Sequence, residues 1–333
     1  MNLKQLAKEL NLSISAVSKA LRDSHEISSK TKAAVLAKAK ELNYQVNPFA
    51  SGLRKQKSKT IAVVIPEISN IFFSMAINGI ESVAQEKGYH VLIYLTHEDF
   101  QKEISIMKLL QNGRVDGIVM SISSETTDTA HLQEMKNKEI PLVFFDRVAE
   151  GIQAPQVNTN DYECGFEGTE HLIHKGCKRI AFLSLSDHLS ITNKRKNGFQ
   201  QAMNMHKFKQ SDTLTLACGM DEASNRKKLL KLLKSKRRPD GIFASVEKLA
   251  LLVYDVCHEL KLQIPDDLKL IGFSNLHTAN WLNPSLTTIT QPAYEIGQSA
   301  ASTLFRIIEK RVFDYPPEKL ILSSVLIERN STR

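Results

Sequence analysis

The chain has 333 residues, of which 42% are hydrophobic, and a formal net charge of +8 at pH 7. This length accommodates two or three domains, no apolar run is long enough to span a bilayer, and the N-terminus lacks the apolar stretch of a secretion signal. The four cysteines are far apart with no Cys-x-x-Cys pair, which predicts free thiols in the reducing cytoplasm: Cys164, Cys177, Cys218 and Cys257.

The net charge is concentrated at the start of the chain. Residues 1–60 contain 12 Lys and Arg against 4 Asp and Glu, whereas residues 61–333 contain 32 of each sign. A basic segment of this kind is typical of a polyanion-binding domain. A solvated helical face in a small bundle is the simpler alternative for a charge run.

Two short helices joined by a tight turn are predicted within Met1–Leu21. Ala7 is small enough for two helices to cross closely, and Asn11 can adopt the left-handed conformation that this turn requires. Ser13 is a suitable N-cap for the second helix. Apolar residues at helical spacing form one stripe on each helix, Leu3, Leu6, Ala7 and Leu10, then Val17, Ala20 and Leu21. The pattern predicts a helix-turn-helix whose second helix can lie in the major groove of DNA.

A third helix is predicted from the Ser28-Ser29 cap to about Asn43, and Asn47-Pro48 then breaks the chain. We therefore expect an all-α head over residues 1–46, a basic hinge or linker over 47–60, and a body over 61–333.

The body alternates short apolar runs with amphipathic helices, which is typical of doubly wound parallel sheets. The predicted strands are Ile61–Pro66, His90–Leu95, Asp116–Met120, Pro141–Phe145, Arg179–Ser184, Thr213–Leu216, Asp240–Ser245, Leu268–Phe273 and a last one around Leu320–Ile327. The helices between them include Phe73–Lys87, Glu103–Asn112, Asn197–Met205 and Glu222–Leu233. Two such series predict two α/β lobes, the first over about 61–158 and 292–319 and the second over about 159–291 and 320–333. A ligand is expected in the cleft at the carboxyl ends of the strands.

Enzyme and metal motifs are weak. The sequence has no G-x-G-x-x-G, Walker loop or G-x-S-x-G elbow, so no catalytic residue and no cofactor are predicted. His171, His174 and Cys177 have metal-like spacing, but Gly176 ends their helix and no fourth ligand is evident. We therefore expect no metal site.

Several motifs in order closely resemble those of the lactose/purine repressor (LacI/GalR-type) family of bacterial transcription factors. The head carries LAKELNLSISAVSKAL, with Asn11 where the family has Gly and Lys19 where it has Arg. NPFASGLR resembles the family's hinge. Further matches follow along the whole body: IPEISNIFFSMAINGIE, RVDGIVM, IPLVFFDR, HLIHKGCKRIAFL, KRKNGFQQAM, PDGIFAS, IPDDLKLIGFSN and PSLTTITQPAYEIGQSAA.

The resemblance implies a two-lobed, periplasmic-binding-protein-like body and a homodimer that binds a near-palindromic operator in double-stranded DNA. It also implies a repressor, without membrane association, whose DNA affinity changes when a small-molecule effector binds between the lobes. The family's common effectors are sugars and sugar phosphates. No leucine heptads follow the last strand, so a dimer rather than a tetramer is expected.

The resemblance also implies which residues contact DNA. Base contacts are expected from Ile14, Ser15 and Lys19, and phosphate contacts from Asn2, Lys4, Ser13, Ser18 and Asn47. In the hinge, Ala50, Leu53 and Arg54 match the minor-groove segment, where a leucine wedges between bases. For Ile14 the alternative is packing onto its own helical turn.

Effector contacts carried over from the family are expected from Ser69, Asn70, Phe72, Ser121, Ser123, Asp146, Arg147, Arg195, Glu247, Ser274, Asn275 and Trp281. Arg195 is the strongest candidate, because a guanidinium suits bidentate contacts to polar ligands. Ser274 stands where the family usually has a carboxylate, and Met220 stands near the usual aromatic position. Trp281 either supplies the missing stacking surface or packs under the lobe.

Two other function classes fit parts of the pattern. A solute-binding protein with an incidental head would need a signal sequence. A sugar-metabolising enzyme would need carboxylates converging across the cleft, for which Asp146, Asp161 and Glu247 are the candidates.

Overall fold

The computed structural model describes residues 2–21, 23–44, 58–186, 188–310 and 318–333. The chain divides into two compact units, Met1–Ser58 and Lys59–Arg333. The predicted hinge over 47–60 lies almost entirely outside the described residues.

The first unit contains three helices, α1 (Leu3–Glu9), α2 (Ile14–Ala20) and α3 (Ser29–Glu41). They enclose a small core of Leu6, Ala7, Val17, Ala20, Val35 and Ala39. The turn chemistry predicted from the sequence is confirmed: Asn11 has φ 51°, and the Ser13 hydroxyl accepts a hydrogen bond from the Ala16 amide at 3.1 Å. Ser28 caps α3 in the same way, accepting from the Thr31 amide.

The first lobe of the body is a six-stranded sheet in the order β11-β5-β4-β3-β1-β2, with every neighbouring pair parallel. Its strands are β1 (Thr60–Ile65), β2 (His90–Leu95), β3 (Gly117–Met120), β4 (Leu142–Phe145), β5 (Gln156–Thr159) and β11 (Lys319–Leu322). The helices α4 (Ile71–Glu86), α5 (Phe100–Leu110), α6 (Ala130–Asn137) and α11 (Ala293–Lys310) belong to this lobe.

The second lobe repeats the plan with the order β12-β10-β9-β8-β6-β7, in which only the β10–β12 pair is antiparallel. Its strands are β6 (Ile180–Ser184), β7 (Thr213–Ala217), β8 (Gly241–Ala244), β9 (Lys269–Phe273), β10 (Thr287–Thr290) and β12 (Val325–Ile327). Its helices are α7 (Asp161–His174), α8 (Ser190–Met205), α9 (Glu222–Leu233) and α10 (Glu247–Leu260).

The prediction of one last strand over Leu320–Ile327 is wrong. The segment forms β11 in the first sheet and β12 in the second, so the chain crosses between lobes at residues 323 and 324 rather than before Leu320. The other crossings follow β5 and β10, two strands that the sequence analysis did not predict. Neither lobe is therefore continuous in sequence.

In each lobe, two helices cross at a point where each of them carries a glycine. In the first lobe, a Cβ added at Gly79 of α4 or Gly297 of α11 would lie within 2.1 Å of a backbone oxygen of the opposite helix. In the second lobe, the same holds for Gly165 of α7 and Gly198 of α8. Only glycine permits this backbone approach, so the helix that carries Arg195 is held directly against α7.

The residues at metal-like spacing are not arranged as metal ligands. His171 Nε2 lies 2.8 Å from the Thr332 hydroxyl, and Cys177 is a buried free thiol. Among the described residues, no group of three His, Cys, Asp or Glu side chains is arranged to hold a metal ion. None of the helices in the described ranges is both long and apolar enough to cross a membrane.

Candidate functional site

The outward face of α2 presents the predicted base-reading residues. Ile14 is 47% exposed and Ser15 is exposed, while the Lys19 side chain is 39% exposed. Ile14 is therefore not part of the buried core of the head. Lys19 forms an ion pair with Glu26 in the loop after α2, a partner that the sequence analysis did not identify.

Two of the predicted phosphate contacts, Asn2 and Ser13, are helix N-caps. Asn2 caps α1 through a reciprocal pair of 2.9 Å hydrogen bonds with Gln5, and Ser13 caps α2. Lys4 is exposed and Ser18 is half-buried. The remaining predicted DNA contacts, Asn47, Ala50, Leu53 and Arg54, lie outside the described residues.

A cleft in the body gathers most of the predicted effector residues between the two lobes. Eight of them line it: Asn70, Phe72, Asp146, Arg147, Arg195, Glu247, Ser274 and Asn275. Five further residues line it that the sequence analysis did not predict: Phe73, Ile191, Val246, Phe273 and Gln291. The cavity volume is about 40 Å³.

Arg195 is the most firmly held side chain of the cleft. Its Nε and Nη2 each lie 2.7 Å from Asp161 Oδ1, and its Nη1 donates to the Ser245 carbonyl at 2.7 Å. The guanidinium carbon lies 3.6 Å from the centre of the Phe273 ring, a cation–π contact. Arg195 and Asp161 are 3% and 1% exposed, so this is a buried ion pair. The arrangement fixes the direction in which the guanidinium can meet a ligand.

Asp146 and Arg147 follow β4 on the first-lobe side of the cleft. Asp146 has φ 57°, an uncommon conformation for a residue with a side chain and one that is often found at ligand sites. Burial raises the pKa of its carboxyl above the ordinary value, although the charges of Arg147 and Arg195 act in the opposite direction. Gln291 reaches it with Nε2 at 3.4 Å from Oδ1.

The Arg147 guanidinium is held in place by an ion pair with Glu98. Its Nη1 lies 2.9 Å from both oxygens of Glu98. Burial disfavours the charge of Glu98, but Arg147 and the Ser124 amide outweigh burial and hold its pKa below the usual range.

On the second-lobe side, two polar pairs line the cleft. The Ser274 hydroxyl donates to the Glu247 carboxylate, so the serine that replaces the family's carboxylate faces another carboxylate one strand away. Asn275 donates to the Gln291 carbonyl at 2.7 Å and accepts from the Gln291 amide at 3.4 Å. These bonds join the end of β9 to the second crossing between lobes.

Four predicted effector residues lie outside the cleft lining. Ser69 is exposed and donates to Glu67 at 3.2 Å, while Ser121 and Ser123 are fully buried in the loop after β3. Trp281 is 81% exposed, so it neither packs under the lobe nor lines the cleft. The aromatic side chains of the cleft lining are instead Phe72 and Phe73, in the first turn of α4, and Phe273, at the end of β9.

Two residues of the site were missed by the sequence analysis for identifiable reasons. Gln291 follows β10, whose sequence TTIT is too polar to be recognised as a buried strand. Asp161 was considered only as a possible acid or base, and its pairing with Arg195 joins residues 34 positions apart. Because β10 is not recognisable as a strand, the rule that ligands bind after the carboxyl ends of strands does not indicate Gln291.

Comparisons with known proteins agree with this arrangement. A family model described as a periplasmic binding protein-like domain matches residues 169–332. The chain is 33% identical to the ribose operon repressor of Halalkalibacterium halodurans, over 94% of this chain and 92% of that protein. A solved structure of a LacI family transcriptional regulator from Enterococcus faecium with bound ribose is 25% identical, with a TM-score of 0.72, covering 82% of this chain and 98% of that one.

The Lac repressor dimer bound to operator and the anti-inducer ONPF matches the fold over the full length. Its TM-score is 0.85 at 20% identity, and the match covers 100% of this chain and 99% of that chain. At this identity the likeness supports the fold: a helical head followed by a two-lobed α/β body.

Proposed function

The chain belongs to the lactose/purine repressor (LacI/GalR-type) family of transcriptional regulators, and from this premise we propose that α2 reads the operator and that a sugar held between the lobes controls operator binding. The DNA-reading part is supported by Ile14, Ser15 and Lys19 on the outward face of α2. Lysine is a common reader of guanine O6 and N7 in the major groove. The whole net charge of +8 lies within residues 1–60, where phosphates are contacted.

The effector part rests on one observation, the Arg195 guanidinium fixed at the cleft by Asp161, the Ser245 carbonyl and the Phe273 ring. A side chain held on three sides has lost its rotamer freedom before a ligand arrives, so binding costs less entropy. Arg195 and Asp146, on opposite lobes, are the groups through which a ligand would join the lobes.

Charge favours a neutral sugar over a sugar phosphate. The cleft lining holds two carboxylates and two guanidinium groups, and each guanidinium is already paired with a further carboxylate, Glu98 or Asp161. The groups around the cleft therefore carry an excess of negative charge, which disfavours a phosphate. The ribose operon repressor and the ribose-bound regulator make a pentose the first sugar to test.

Two of the three candidate carboxylates that an enzyme would need are engaged in other contacts. Asp161 binds Arg195 and Glu247 accepts from Ser274. Since general acid–base chemistry needs carboxyl groups directed at the substrate, we assign no catalytic role to them.

We place the protein in the cytoplasm, because it must reach the operator there.

A homodimer is the proposed assembly. β2 is one of the two edge strands of the first sheet, and its residues Leu92 and Ile93 are 42% and 43% exposed. Trp281 is exposed on the second lobe. Unpaired edges and exposed aromatic side chains are typical of interfaces.

The test is fluorescence anisotropy on a DNA duplex that the protein itself selects from a randomised pool. Ribose and other neutral sugars are expected to shift the midpoint of operator binding, and ribose 5-phosphate is expected to act more weakly. The variant Arg195→Lys keeps a cation beside Asp161 but loses the planar fork, so its operator binding without sugar is expected to be native and its response to sugar lost. Turnover of the same sugars by the wild-type protein would instead support an enzyme, and a native sugar response in Arg195→Lys would place the effector elsewhere.

A further inference from the structure

We propose that Glu26 sets how strictly the head discriminates its operator, by holding the Lys19 ammonium for base reading and away from the phosphates of other DNA. This inference rests on the proposed function of Lys19 as a base reader. It adds a specificity-determining carboxylate, outside α2, to the DNA-binding face.

Backbone contacts place Glu26 beside α2. The Ser24 amide donates to the Lys19 carbonyl at 3.1 Å, and the Ile27 amide donates to the Ser24 carbonyl at 3.2 Å. The Glu26 amide itself lies 3.4 Å from the Ser24 hydroxyl. These contacts fold the loop back onto the end of α2. The backbone, and not only the ion pair, therefore places the Glu26 carboxylate beside the Lys19 ammonium.

Glu26 differs from Asp23 and Glu41 in where its partner lies. Asp23 pairs with Lys32, and Glu41 pairs with Lys38, so both partners lie on α3. Among the ion pairs of the described head residues, only that of Glu26 involves a residue of α2. A carboxylate on a DNA-binding face opposes phosphate binding, because like charges brought together cost free energy.

The Lys19 ammonium has enough N–H donors to bind Glu26 and a base at the same time. An ammonium group has three N–H donors, and one of them is directed at Glu26, which leaves two for guanine O6 and N7. The direction of the Lys19 stem is then fixed before DNA binds, so less side-chain entropy is lost on the operator. On other DNA, Lys19 can neutralise a phosphate only by leaving Glu26.

The test compares wild type with Glu26→Gln on two duplexes: one selected by the wild-type protein from a randomised pool, and one of shuffled sequence. Since one good base contact discriminates by about 1–3 kcal/mol, the ratio of selected to shuffled affinity is expected to fall about tenfold in Glu26→Gln. Most of this change is expected as tighter binding to shuffled DNA. The salt slope of shuffled binding should become steeper by about 0.9, the value for one additional neutralised phosphate.

Asp23→Asn is the matched control, because it removes one negative charge from the same loop without touching Lys19. If Asp23→Asn and Glu26→Gln change the ratio equally, the effect is one of bulk charge and the proposal is wrong. Glu26→Gln in a Lys19→Ala background should leave the ratio unchanged, since Glu26 acts through Lys19. A ratio of one in the wild type would contradict the proposed function itself, whereas an unchanged ratio in Glu26→Gln contradicts only the role of Glu26.

Discussion

At the scale of the residue, Arg195 both lines the cleft and forms a buried ion pair with Asp161. Removing one partner of a buried ion pair leaves the other charge uncompensated, which typically costs about 3–5 kcal/mol. We expect Arg195→Ala to lower the urea midpoint of the body strongly, whereas Arg195→Met combined with Asp161→Asn should recover most of the loss. A native midpoint in Arg195→Ala would show that the pair with Asp161 does not form.

Asp146, unlike Arg195, is expected to lower the stability of the folded body at neutral pH. Burial raises its pKa, so the folded state binds a proton more tightly than the unfolded state, and the contribution of this group to stability falls as pH rises through that window. At neutral pH, well above the ordinary pKa of the unfolded state, this group therefore destabilises the folded state. Asp146→Asn should therefore raise the melting temperature at neutral pH, the more so because asparagine tolerates the left-handed conformation. The difference should shrink toward pH ~4, near the ordinary pKa, and a lower melting temperature at neutral pH would contradict the argument.

Local residue roles were predictable from the sequence, and distant partners were not. Asn11 and Ser13 were identified correctly because a turn and an N-cap depend on a few adjacent residues. The pairing of Arg147 with Glu98 joins residues 49 positions apart, and nothing in the spacing of the sequence specifies it. The exposure of Trp281 was likewise missed, because either burial or stacking is ordinary for tryptophan.

At the scale of the element, the glycine crossings are the least tolerant contacts of the body. A Cβ at Gly165 would lie 2.1 Å from the Arg195 carbonyl oxygen, so Gly165→Ala must push α8 away from α7. Overpacking of this kind costs about 1–3 kcal/mol or more, and it would also displace Arg195. We expect a lower melting temperature together with weaker sugar binding, measured by calorimetry.

Gly219→Ala is the control for this prediction, since an added Cβ there meets no described atom within 4 Å. It should change both quantities little. If Gly165→Ala behaves like this control, α7 and α8 do not cross as closely as described.

Strand prediction succeeded where burial leaves an apolar run and failed elsewhere. Strands such as β1 and β6 are buried on both faces, so their sequences are continuously hydrophobic. β10 is rich in threonine, whose hydroxyls bond to neighbouring strand and loop groups. Between β11 and β12 the apolar run is broken by Ser323-Ser324 alone, and two serines do not reveal a change of sheet.

At the scale of the whole molecule, the separation of charge predicts how DNA binding responds to salt. Because the net charge lies in residues 1–60, the logarithm of operator affinity should fall linearly with the logarithm of salt, by about 0.9 for each phosphate neutralised. Lys4→Ala should reduce that slope by about one contact and weaken binding to all sequences alike. Anisotropy titrations across salt concentrations would measure both, and an unchanged slope in Lys4→Ala would remove Lys4 from the phosphate contacts.

The proposed dimer makes Trp281 a test residue. Aromatic side chains at the centre of an interface commonly contribute 2 kcal/mol or more, about 30-fold in affinity. Trp281→Ser should therefore shift the assembly toward monomer in sedimentation velocity. Met205→Ser, at another exposed apolar residue (59% exposed), should not, and equal sedimentation of all three proteins as dimers would exclude Trp281 from the interface.

The order in which the lobes appear during synthesis follows from the three crossings. The head leaves the ribosome first and can fold at once, since its core uses only nearby residues. The first lobe cannot close at that stage, because α11 supplies nine of its buried residues, including Gly297 against α4. Most of the second lobe, residues 161–290, is synthesised before α11. The lobe whose strands come first in the chain is thus completed late, and until α11 emerges the apolar face of α4 is open to chaperones and to other nascent chains.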